Sequence, residues 1–192
     1  IAPALVDFVA PGNVDIQCAV ARRFELPTSV CAAIAEVGAL DACATLLDNP
    51  DAELAQMSLD RIVERFGHVA SIREQLLETH ELPATTRLAL AGKLSASLAE
   101  FTTAHQWLDP HHAERIAQEG WERAVVNIAA TSSQNDLKGL VRHLRECGQL
   151  NAGLILRTLL SGDTGLFEAS LVELTGMSEA RVASIVHERG AG

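Results

Sequence analysis

Prolines recur in this chain where helices would begin. Asn49-Pro50 and Asp109-Pro110 each set a capping side chain before a proline whose missing N–H costs nothing in a first helical turn. Pro27 and Pro83 read the same way, and both sit in a Glu-Leu-Pro triplet. Starts at Pro27, Pro50 and Pro83 predict helical hairpins of about 25–35 residues, the repeat length of stacked α-structures. Between these marks the apolar residues follow helical spacing. Ala55, Leu59, Ile62, Val63 and Phe66 share one face, opposite Asp60, Arg61, Glu64 and Arg65, and Gly67 is expected to stop that helix in a left-handed cap. Val69, Ile72, Leu76 and Leu77 mark the next helix, ending near His80, and a further one runs from Pro83 to about Phe101.

The periodicity lapses over Thr102–Leu108, which places a domain boundary between 1–101 and 102–192. A long helix then starts at Pro110, with Ile116, Trp121, Val125 and Ile128 on its apolar side. Leu137, Leu140, Val141 and Leu144 point inward from a helix over 134–147. Next, Leu154, Ile155, Leu156, Leu159 and Leu160 leave almost no polar face, so this helix should be central and buried on most sides. Two last helices are closed by Gly176 and Gly190. Alanine (30) and leucine (26) dominate the composition and Tyr is absent, which argues against strands and against disorder. The fold class is therefore all-α, with stacked helical hairpins in the first half and a C-terminal helical bundle packed on them.

Leu140-Val141, Leu144, Gly148, Leu154-Ile155-Leu156-Arg157, Gly162-Asp163, Phe167-Glu168-Ala169, Leu174, Gly176 and Arg181 resemble the C-terminal signature of a bacterial family of unknown function, family 2336. Leu26-Pro27 with Val30, Ala33 and Ala35 is similar to that family's HEAT-like N-terminal part. The resemblance implies a helical fold and nothing catalytic. It also implies that Ile1 lies inside a longer chain.

Four groupings carry candidate chemistry. His105, Asp109, His111 and His112 hold metal-binding atoms, but adjacent histidines on a helix diverge by about 100°, so no metal site is assigned. Arg157, within an apolar helix, must find a partner, and Asp163 and Glu168 are the expected members of a structural ion pair. Lys138, Arg142 and Arg145 form a stripe at i, i+4, i+7 that reads as a solvated face, or as a binding site for a partner. The segment 172–189 has helix-turn-helix spacing, with Glu179, Ala180, Ala183 and Ser184 on the face that would read DNA. Those side chains suit DNA poorly, and a net charge of −10 argues against nucleic acid or an anionic membrane as a general partner.

No phosphate loop, dinucleotide fingerprint or Gly-x-Ser-x-Gly elbow occurs, so no catalytic residue and no cofactor is assigned. Cys18, Cys31, Cys43 and Cys147 read as small packing residues in a reducing, cytoplasmic setting. The expectation is a non-enzymatic protein-interaction or scaffold domain with a protein partner. A nucleic-acid-binding protein using 172–189 is the alternative.

Overall fold

A computed structural model describes residues 13–79 and 82–188, so the expected stops near His80 and at Gly190 lie outside the described residues. Among the described residues there are eleven α-helices and no strand: α1 Val14–Ala21, α2 Thr28–Val37, α3 Leu40–Leu47, α4 Gln56–Phe66, α5 Ala70–Glu78, α6 Ala84–Ala104, α7 Pro110–Ala130, α8 Gln134–Glu146, α9 Ala152–Leu160, α10 Thr164–Thr175 and α11 Glu179–Glu188. The fold is all-α. The chain forms two compact units, Ile1–Ser97 and Leu98–Gly192. The division falls inside α6, which continues without a break through the expected boundary to Ala104.

In the first unit α1 packs against α3 and α3 against α5, while α2 packs against α4. Alternate helices thus form two rows around a core of Leu26, Ile34, Leu46, Ile62, Ile72 and Leu76. None of α1 to α5 donates a backbone N–H to its own N-cap side chain. Helix ends leave backbone groups that need partners, and here distant side chains supply them. The Ala39 N–H donates to Gln17 Oε1 (2.8 Å) at the start of α3. Asn49 Nδ2 donates to the carbonyls of Ala21 (2.7 Å) and Arg23 (2.9 Å), closing the end of α1. Arg65 does the same for α2, donating to Ala35 O (2.7 Å) and Gly38 O (2.6 Å).

Two expectations are corrected here. Pro50 does not begin a helix. Asn49 is occupied with the end of α1, and the following residues pair Leu26 with Ala52 before α4 begins at Gln56. Gly67 is right-handed (φ −62°), not left-handed. Its lack of a side chain serves close packing, because a Cβ would stand 2.5 Å from Val63 O and 2.9 Å from Lys93 Cγ.

The second unit is built around α10, which packs against α7, α8, α9 and α11. Here capping is local, as the sequence suggests for Asp109. Asp109, Ser133, Asn151 and Asp163 accept the backbone N–H groups of His112, Asp136, Leu154 and Leu166. Trp121, Val125 and Ala129 form the buried line of α7, with Ile116 exposed, and Leu140, Val141 and Leu144 that of α8. Helix α9 is not central. Only Leu154 and Thr158 are buried, whereas Leu156 is 57% and Leu160 86% exposed, because α10 covers one side of it.

Candidate functional site

The cationic stripe of α8 is exposed, but two of its three members are held by glutamates. Because Leu140, Val141 and Leu144 fix the inward side of α8, helical spacing turns Lys138 and Arg145 toward the α10–α11 hairpin, which carries two glutamates opposite them. Lys138 Nζ lies 2.7 Å from Glu179 Oε1, and Gln134 Nε2 donates to the other oxygen of that carboxylate at 3.4 Å. Arg145 Nη1 donates to Glu173 Oε1 (2.9 Å) and to the Glu173 carbonyl (2.8 Å). Arg142 sits between these two pairs, one helical turn from each. It is exposed and has no polar partner among the described residues.

Between α8 and the hairpin lies a groove of about 690 Å³. Its apolar lining comes from Leu137 and Val141 of α8, Ala169 and Val172 of α10, and Ala180 and Ala183 of α11. The end of α7 adds Ala129 and Ala130. Lys138, Arg142, Asp163, Glu168, Glu173 and Glu179 are its charged members. Every one except Arg142 is engaged: Glu168 takes His187 Nε2 at 2.9 Å, and Asp163 Oδ1 caps α10. The second oxygen of Asp163 is buried without a hydrogen bond. Exposed ion pairs of this kind contribute little to stability, so they shape the groove more than they hold the unit together.

The expected partnership of Arg157 with Asp163 and Glu168 is corrected. Arg157 Nε lies 2.7 Å from Glu122 Oε2 of α7. Glu168 instead takes His187 of α11, and Asp163 caps the start of α10.

The histidine group does not converge. Asp109 caps α7 through the His112 N–H, and its other oxygen is 3.8 Å from His112 Nδ1. His105 stands apart against Phe101 (ring centroids 4.2 Å) and Trp107 (5.7 Å), an exposed aromatic cluster that periodicity did not reveal. Among the described residues no three His, Cys, Asp or Glu side chains are grouped to hold a metal ion.

The hairpin around Gly176, which is left-handed at φ 69°, has the helix-turn-helix form expected. On its would-be reading face Ala180 and Ala183 line the groove, and the exposed Glu179 is held by Lys138. Sequence reasoning found the α8 stripe but missed the groove, since nothing near Lys138 or Arg142 in the chain announces Ala180 and Ala183 opposite them.

Cys31 and Cys43 are buried packing residues as expected, and Cys18 is half-buried, but Cys147 is exposed, because it lies just past the last turn of α8. Burial pushes the Cys43 thiol up to about 11 and raises that of Cys31.

A family model described as "Uncharacterised protein conserved in bacteria (DUF2336)" matches residues 2–192. No curated protein and no solved structure matches the chain.

Proposed function

The chain belongs to this uncharacterised bacterial family, and from that premise we propose that it is a non-catalytic protein-interaction or scaffold module that binds its partner through the α8/α10–α11 groove. The observation that carries the reading is the groove itself. About half of its lining residues are Ala, Val and Leu, and it carries an unengaged arginine. Apolar surface left open to water between helices is a cost that a bound partner removes.

The two rows of helices in the first unit support a HEAT-like stacked arrangement, a fold that serves as a scaffold in many contexts. Reduced cysteines support a cytoplasmic setting. Among the described residues no helix is long and apolar enough to cross a membrane. The small apolar Ala180 and Ala183 along the groove, beside acidic Glu179, support the protein reading over the nucleic-acid one.

The test is affinity capture from a native bacterial lysate with wild-type chain and with Ala183→Trp, which fills the groove. A protein recovered by the wild type and lost with the variant supports the proposal, provided circular dichroism shows both baits equally folded. Recovery unchanged by Ala183→Trp, or recovery of nucleic acid alone, overturns it.

A further inference from the structure

We infer that the groove takes an amphipathic α-helix whose apolar row seats on the alanine-rich lining and whose acidic side chain pairs with Arg142. This rests on the interaction reading above and names the chemistry of the partner.

The first argument concerns the partner's backbone. Along most of their length the walls α8, α10 and α11 have their N–H and C=O groups bonded within each helix, and N–H groups without an intrahelical partner occur only in the first turns, at Gln134, Gly165 and Ala180. Such walls offer chiefly side chains. An extended peptide seated there would leave its backbone donors and acceptors unsatisfied, at a cost comparable to lost hydrogen bonds. A helix satisfies its own backbone and presents only side chains, the helix-in-groove mode of recognition.

The second argument is the lining. Ala169, Ala180 and Ala183 keep the wall low, so a helix can lie close and fill the space with larger residues of its own.

Charge supplies the third. Lys138 is matched by Glu179, Arg145 by Glu173, and Glu168 by His187, while Asp163 is spent on the N-terminus of α10. Arg142 is the cation of the groove without a counterpart among the described residues, and its guanidinium fits a carboxylate in a two-pronged contact. An incoming lysine would meet glutamates that already hold partners. An incoming glutamate or aspartate would complete the row.

The experiment uses the full chain and a displayed library of helical peptides with a fixed leucine row and flanking positions varied among Glu, Gln and Lys. Selection is run on wild type, Arg142→Glu and Ala183→Trp, with Ala180→Leu as a milder filling variant should Ala183→Trp misfold. The expected result is enrichment of Glu on wild type, enrichment of Lys on Arg142→Glu, and loss of binders with the filled groove. The selected Glu peptide should bind Arg142→Glu at least tenfold more weakly by fluorescence anisotropy. Binders that are lost on filling but show no Glu preference and no response to Arg142→Glu overturn this inference and leave the interaction reading standing. Binders indifferent to filling, or none from a well-folded wild type, overturn both.

Discussion

Helix α9 offers the sharpest test of the packing described above, because its leucines look alike in sequence and differ entirely in surroundings. Leu154 is 1% exposed, and Leu160 on the same helix is 86% exposed. Truncating a buried leucine to alanine removes its transfer free energy and leaves a cavity, at a cost of about 2–5 kcal/mol. Changing an exposed one to glutamine costs within about 0.5 kcal/mol. Both tryptophans, Trp107 and Trp121, lie in the second unit, and Trp121 is buried. Tryptophan emission during urea unfolding therefore reports that unit. With a urea dependence of about 1.5 kcal/mol per molar, a loss of about 3 kcal/mol moves the midpoint down by about 2 M. Leu154→Ala should show that shift, and Leu156→Gln and Leu160→Gln should stay within about 0.3 M of wild type. Equal losses for Leu154→Ala and Leu160→Gln would refute the one-sided burial of α9 and restore it to the centre of the unit.

Three further outcomes follow from particular contacts. Arg65→Met removes two charged donors from the end of α2 and should lower stability by about 2 kcal/mol, read by far-ultraviolet circular dichroism in urea. Glycine replacements should split by sign: Gly176→Ala forces a side chain into a left-handed residue and costs about 1 kcal/mol, while Gly139→Ala adds a methyl that meets nothing within α8 and gains about 0.5–1 kcal/mol in the same assay. Thiol titration of the native protein at pH 8 should modify Cys147 quickly and leave Cys43 protected, since burial keeps Cys43 protonated with a pKa of about 11. Rapid modification of Cys43 under native conditions would contradict its place in the core.

What could be read in the chain was what is local. Asp109, Ser133, Asn151 and Asp163 cap the residue three positions on, and that short reach made the second half's helix starts legible. The first unit conceals its caps because Gln17, Asn49 and Arg65 reach 22 to 30 residues along the chain. The same distance misled the reading of Asn49-Pro50, whose side chain serves α1. Periodicity says which residues of α9 are apolar but not how many neighbours it has, so a nine-residue helix covered on one side read as central and buried on most sides. The i, i+4, i+7 spacing located Lys138, Arg142 and Arg145. That two of them meet glutamates from the hairpin is a property of tertiary packing, as is the turn of Arg157 to Glu122.

The most direct test of the groove as the binding surface is site-specific photocrosslinking in living bacteria. Benzoylphenylalanine is placed either at Ala130, an exposed position lining the groove, or at Leu160, on the exposed side of α9. A discrete crosslinked protein from position 130, absent from position 160 and suppressed by Arg142→Glu, is the result predicted. A crosslink from 160 with none from 130 would contradict the assignment and move the partner to α9.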